Sequence, residues 1–153
     1  MKAIVAIDLD YNIGDGNKLF HHYPEDLKHF RAFTMGKTLV MGRRTYESLP
    51  SKLKGRNIII LTRDRNYLPL YKDNTCVLHS KKEVLELKED LIIAGGVEIY
   101  KLFKKEIKEL HLTRILKPSP RKGVRFPLDI NKYKIAHQKE LSKGVIYYYL
   151  TYL

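Results

Sequence analysis

Pro24-Glu25-Asp26-Leu27 opens a segment that runs to Gly36, with proline in the first turn and glycine just past the last, the two ends of a helix. Asp26 shares a face of that helix with Phe30 and Phe33, its i+4 and i+7 neighbours. An acid in a first turn is commonly no more than a group favoured by the helix dipole. On an apolar face it is also a candidate for the floor of a pocket, where burial opposes the dipole and can leave a carboxyl that exchanges protons near neutral pH. A second chemistry gathers where apolar runs end. Leu91–Ala94 is followed by Gly95-Gly96, Thr38–Met41 by Gly42-Arg43-Arg44-Thr45, and Asn57–Leu61 by Thr62-Arg63. Singly these are turns. Together, glycines that let a backbone approach a phosphate and arginines that bind its oxygens suit a dinucleotide with an additional phosphate. Gly14-Asp15-Gly16-Asn17-Lys18-Leu19 lacks the third glycine of a G-x-G-x-x-G fingerprint, so the standard dinucleotide fold is disfavoured.

These residues need elements to hold them. Ala3–Ile7, Thr38–Met41, Asn57–Leu61, Thr75–Leu78, Leu91–Ala94, Leu110–Ile115, Tyr133–His137 and Val145–Tyr152 read as strands, several of them apolar on both faces. Besides the helix from Pro24 to Gly36, Ser80-Lys81-Lys82-Glu83 forms a capping box, and the stretch after Gly95-Gly96 carries Ile99, Leu102, Phe103 and Ile107 at helical spacing. Strand and helix alternate early, and strands alone fill the last third. The expected fold is α/β, a three-layer αβα domain over residues 1–153, with a predominantly parallel mixed sheet of about eight strands, an antiparallel C-terminal edge and about four flanking helices.

Composition narrows the class. The 153 residues are 44% hydrophobic and 30% charged, with no membrane-length apolar run, as expected of a soluble globular domain. Met1-Lys2 leads directly into Ala3-Ile4-Val5-Ala6-Ile7, and Cys76 is the single cysteine, so a reducing cytoplasm is the expected location and Cys76 reads as a small buried hydrophobe in a strand. The 29 basic and 17 acidic residues give +12, but the lysines are scattered instead of forming an arm. A solvated basic surface, or one that steers small anions, is expected over nucleic-acid binding. His22, His29, His79, His111 and His137 lack metal-ligand spacing, so no metal is expected. Tyr147, Tyr148, Tyr149 and Tyr152 read as sheet residues with one wet face.

The chain resembles the dihydrofolate reductase family. The resemblance rests on Ile13-Gly14, Pro24-Glu25-Asp26-Leu27, Met41-Gly42-Arg43-Arg44-Thr45-Tyr46-Glu47-Ser48, Leu53-Lys54-Gly55-Arg56-Asn57, Leu61-Thr62-Arg63, Ala94-Gly95-Gly96-Val97-Glu98-Ile99-Tyr100, Leu112-Thr113 and Phe126-Pro127, in family order. It implies reduction of 7,8-dihydrofolate to 5,6,7,8-tetrahydrofolate by NADPH, with antifolates as expected ligands and a monomer as the expected state. By resemblance, Asp26 would pair with the pterin 2-amino and N3 groups and Thr113 would orient it. Leu27, Phe30, Leu49 and Leu53 would wall the pocket, and Arg56 would hold the carboxylate of the substrate tail. Ile4, Val5, Ala6, Ala94 and Tyr100 would lie against pterin or nicotinamide. Gly95 and Gly96, with Val97, Glu98 and Ile99 behind them, would receive the pyrophosphate. Gly42, Arg43, Arg44, Thr45, Leu61, Thr62 and Arg63 would serve the adenosine side with its 2′-phosphate, and Ile13 and Gly14 the nicotinamide side.

The loop from Gly14 to Tyr23 looks like the family's lid, with Gly14 and Gly16 as hinges. Two features depart from the pattern. Phe20-His21 stands where many members carry Pro-Trp, which makes His21 either a catalytic stand-in acting on proton delivery or an exposed loop histidine. Gly123-Val124-Arg125-Phe126-Pro127 lacks the acidic residue and threonine that commonly precede Phe-Pro, leaving open what steadies that loop. Two other readings compete: a pyrimidine reductase of the riboflavin pathway with the same fold, which has no need of Asp26, and a non-enzymatic or catalytically impaired binding protein.

Overall fold

The computed structural model describes residues 1–15 and 21–153; Gly16 and Phe20 of the lid loop fall outside them. Among the described residues the strands are β1 (Lys2–Ile7), β2 (Asn12–Gly14), β3 (Thr38–Gly42), β4 (Asn57–Leu61), β5 (Thr75–Leu78), β6 (Leu91–Ile93), β7 (Glu109–Ile115), β8 (Val124–Arg125), β9 (Tyr133–Ser142) and β10 (Val145–Tyr152). The α-helices among the described residues are α1 (Pro24–Thr34), α2 (Arg43–Glu47), α3 (Lys81–Leu85) and α4 (Val97–Leu102).

Eight strands form one mixed sheet in the order β5-β4-β3-β6-β1-β7-β10-β9, and β2 pairs with β8 apart from it. Every pair from β5 to β7 is parallel, and β7·β10 and β10·β9 are antiparallel. The apolar runs demand this, because a parallel centre must be covered on both faces. One face packs Ile4, Leu39, Met41 and Ile60 against Phe30, Phe33 and Tyr46 from α1 and α2. The other packs Val5, Ile7, Val40 and Ile93 against Val84, Ile99, Tyr100 and Phe103 from α3, α4 and the turn that follows. The chain steps outward from β3 to β5 and then returns to insert β6 between β3 and β1. That insertion sets the carboxyl ends of three strands side by side, the crevice where ligands bind in open α/β sheets.

Three expectations are corrected. Cys76 is exposed, because β5 is the outermost strand of its edge. Leu102 is exposed at the end of α4, and Ile107 joins the core from beyond the helix, its N–H bonded to the Phe103 carbonyl at 3.1 Å. β9 runs on to Ser142, past the expected His137: as an edge strand it is exposed at nearly every position and shows no apolar run to read. β2 and β8 are likewise too short and polar to be legible.

Candidate active site

α1 starts as its sequence dictates, with Pro24 at the first position and no side-chain cap, so acids in the first turn face the unpaired N–H groups. Asp26 sits there against the sheet. The Thr113 hydroxyl, buried in the middle of β7, hydrogen-bonds the carboxylate. Burial pushes the Asp26 carboxyl above its ordinary range, and the Thr113 bond and the nearby His29 oppose it without cancelling it. Of the two environments that compete for this residue, dehydration wins.

Around it an apolar wall forms from separate elements: Phe30 of α1, Ile4 of β1, Ala94 beyond β6, and Leu49 and Leu53 from the segment after α2 all join one cluster. Leu27 is 54% exposed and stands at the rim. Val5 points into the opposite core, leaving its main chain to the site, whereas Ala6, the next residue of β1, shares the face of Ile4 and pairs with Thr113. Tyr100 is buried, and its hydroxyl donates to the Ile4 carbonyl at 2.6 Å. It is therefore a brace from α4 onto β1. A cavity of about 330 Å³ adjoins Leu49 and Leu53 on the side of Tyr46, Tyr67 and Tyr71.

Arg56 is an unusual cation, only 8% exposed. Its Nε donates to the Lys54 carbonyl at 3.1 Å and Nη1 to the Thr34 hydroxyl at 3.3 Å, and that hydroxyl donates in turn to the Phe30 carbonyl at 2.7 Å. Burial and the neighbouring Arg31 both lower its hold on its proton, yet a guanidinium stays charged, so the geometry presents a fixed positive group beside the apolar wall.

At the crevice the Gly42 N–H donates to the Gly95 carbonyl at 2.9 Å, tying the end of β3 to the turn after β6. Gly95 has φ +107 and the Gly95-Gly96 peptide is cis. A Cβ on Gly96 would lie 3.4 Å from Thr45 Oγ1, and one on Gly42 3.3 Å from Ile99 Cγ1, so side chains here would fill a cradle that backbone now lines. Gly96 and Gly42 immediately precede α4 and α2 and cap them with no side chain, so the first N–H groups have no partner within the helix. Arg44, Arg63 and Glu98 are exposed, Val97 and Thr62 half-buried and Leu61 buried. Arg43 is also exposed, its guanidinium 3.7 Å from Glu47, 3.8 Å from Asp64 and over the Tyr67 ring.

The start of the loop at Gly14 is tied to the segment 121–126. Asn12 and Gly14 pair with Arg125 and Val124, Phe126 N–H donates to the Tyr11 carbonyl, and Arg121 bonds Asp15 at 2.6 Å. Asp8, at the end of β1, accepts from the Asp10 and Asn12 N–H groups and from the Ser119 hydroxyl. His21 is not an exposed loop residue: its side chain is 15% exposed and Nε2 lies 3.5 Å from Asp8 Oδ2, beside Ala6 and Ile13. Among the described residues no cluster of His, Cys, Asp and Glu has the geometry to hold a metal.

An open α/β sheet with a glycine cradle, exposed arginines and one dehydrated carboxylate at its strand ends is the framework of a dinucleotide-dependent oxidoreductase. The family model described as "Dihydrofolate reductase" matches residues 1–152. Dihydrofolate reductase from Neisseria meningitidis is 34% identical over 146 residues, 92% of this chain and 90% of that protein. The Lactococcus lactis enzyme is 37% identical over 136 residues, 83% and 79% of the two chains. A solved dihydrofolate reductase from Enterococcus faecalis, complexed with NADP(H) and RAB-propyl, superposes with a TM-score of 0.85 at 27% identity, covering 99% of this chain and 95% of that one. The chain belongs to the dihydrofolate reductase family.

Proposed function

We propose that the chain, as a single domain over residues 1–153, reduces 7,8-dihydrofolate to 5,6,7,8-tetrahydrofolate with NADPH. The observation that carries the reading is the dehydrated Asp26 carboxylate, bonded by Thr113 from the sheet and set beside an apolar wall. Ionised, Asp26 accepts from the pterin 2-amino and N3–H groups together, a bidentate match that fixes the ring and raises its basicity. The proton for N5 arrives through water, and NADPH, when bound, supplies the hydride for C6. Ile4, Phe30, Leu49, Leu53 and Ala94 exclude other water, and Leu27 covers the rim. Tyr100 holds the Ile4 carbonyl and thereby the strand that carries Val5 and Ala6.

The cradle at Gly42, Gly95 and Gly96 fits the backbone contact a pyrophosphate requires, and Arg44, Thr45, Thr62 and Arg63 supply donors for the 2′-phosphate. Arg43, engaged with Glu47 and Asp64, shapes that subsite. His21, against Asp8 and beside Ala6 and Ile13, borders the nicotinamide side. The scattered +12 charge favours encounter with two anionic ligands. A pyrimidine reductase would gain nothing from the Asp26–Thr113 pair. The test is loss of NADPH absorbance on mixing purified protein, NADPH and dihydrofolate; tight NADPH binding without turnover overturns the reading.

Arg56→Met tests the tail subsite. Methionine fills the space but loses the charge, so KM for dihydrofolate rises about 10- to 100-fold, the worth of a charge-assisted pair of hydrogen bonds, while kcat changes little. Steady-state kinetics, with melting curves to verify folding, decide it; an unchanged KM removes Arg56 from the site.

A further inference from the structure

Tyr11, in the turn between β1 and β2, carries two cations on one ring. The guanidinium carbon of Arg114 in β7 lies 4.6 Å from the ring centroid, and that of Arg125 in β8 lies 5.0 Å from it. The turn fixes the ring from both sides of its backbone: the Tyr11 N–H donates to the Asp8 carbonyl at 3.1 Å, and the Tyr11 carbonyl accepts from the Phe126 N–H at 2.8 Å. Tyr11 packs against the core on the face that holds Ile7, Leu110 and Leu112. Side chains alternate along β7, so Arg114 projects from that same face, and its neighbour Thr113 from the face of Asp26. The stack is thus separate from the carboxylate pocket. It also stands at the ends of β1 and β7, whereas the glycine cradle stands at the ends of β3 and β6.

Neither guanidinium has a counter-charge. The ion pairs among the described residues include neither Arg114 nor Arg125. Acids on the adjoining segments are engaged elsewhere: Asp8 accepts from the Asp10 and Asn12 N–H groups and the Ser119 hydroxyl, Asp10 from the Ser119 N–H, and Asp15 from Arg121. Arg114 Nε is buried and has no hydrogen-bond partner among the described residues, an uncommon state for a buried donor. Two like charges over one ring repel, and the negative face of the ring offsets only part of that repulsion.

We propose that Arg114 and Arg125, held on Tyr11, bind a diphosphate group, either as the free anion or as the phosphates of a nucleotide. Each guanidinium presents a rigid fork of N–H donors that matches phosphate oxygens in pairs. Two forks call for two sets of oxygens, which a diphosphate carries on linked tetrahedra and a carboxylate, with two oxygens in one plane, does not. The site is independent of the reaction proposed above, so a protein without turnover leaves it standing.

The test is titration of the full-length protein with sodium diphosphate at constant ionic strength, followed by NMR at the arginine Nε–H groups. The Arg114 and Arg125 signals shift together with one dissociation constant; Arg44 and Arg63 report separately on the glycine cradle. Arg114→Gln/Arg125→Gln weakens diphosphate binding about 10- to 100-fold, the worth of charge-assisted hydrogen bonds. Lys104→Gln/Lys105→Gln removes the same charge from exposed positions beyond α4 and leaves the affinity within about twofold. A nucleoside diphosphate titrated in parallel separates the sources: equal affinity assigns the diphosphate alone, tighter binding assigns a nucleotide. Arg114 and Arg125 signals that stay in place up to about 10 mM diphosphate overturn the proposal. So does an arginine variant that binds as wild type does, which makes the stack a packing device, or a lysine variant that loses as much, which makes the binding a property of net charge. If the double arginine variant fails to fold, Arg125→Gln, at an exposed position of β8, replaces it and loses about 10-fold.

Discussion

Asp26→Asn lowers the rate of dihydrofolate reduction about 10²- to 10⁴-fold, the range for removing a positioned group that governs a proton in the transition state. Asparagine keeps the size and one acceptor but offers an N–H where the pterin also offers one, so the bidentate match is lost along with the charge. NADPH affinity stays as it was, because the glycine cradle lies at other strand ends. The same variant is more stable than wild type at neutral and alkaline pH. Because the folded carboxyl binds its proton more tightly than the unfolded one, its favourable contribution is present in acid and is lost as pH rises through the folded value. Removing the ionisable group removes that loss, so the stability difference narrows as pH falls. Stopped-flow NADPH oxidation and melting curves across pH check both halves; equal rates, or an asparagine variant that is less stable at high pH, contradict this account.

What could be read beforehand divides along physical lines. The strands at the centre of the sheet were legible because burial on both faces writes itself as an apolar run, as in Asn57–Leu61. Pro24 and Gly36 marked α1 because φ restriction and φ permissiveness are local properties. Asp26 stood out by its i+4 and i+7 neighbours, and the glycine–arginine junctions by their place after strands. Thr113 carried no local signal: a threonine inside a strand is ordinary, and only the resemblance singled it out. Cys76 and β9 were misread because edge strands face water, which periodicity does not report. The Tyr11–Arg114–Arg125 stack was passed over for a third reason. Its members come from a turn and two strands far apart in sequence, and single arginines look bland until the fold joins them. The segment beside β2 is a similar case, since Asp15–Arg121 and Asp10–Ser119 join residues far apart in sequence, which no local pattern reports.

Gly95→Ala weakens NADPH binding about 10- to 100-fold and lowers stability by about 1 to 3 kcal/mol. The new methyl itself meets only ordinary contact, 3.4 Å from the Tyr100 ring, so bulk is not the cause. The cost lies in the backbone, because φ +107 is a conformation that an L side chain resists. Relief means rotating the chain, which moves the Gly95 carbonyl away from the Gly42 N–H that it now receives at 2.9 Å. Two strand ends and the starts of α2 and α4 then lose their common register, and the phosphate-facing N–H groups move with them. Gly36→Ala separates strain from site: it too carries a positive φ, +76, with open space around it, but lies past the end of α1, away from the crevice. It costs about 1 to 2 kcal/mol and leaves NADPH affinity alone. Fluorescence titration with NADPH beside thermal unfolding of both variants is decisive. If both lose affinity equally, the loss follows stability and the turn has no special part in holding the dinucleotide; if only Gly95→Ala does, the backbone at that turn is itself the binding group.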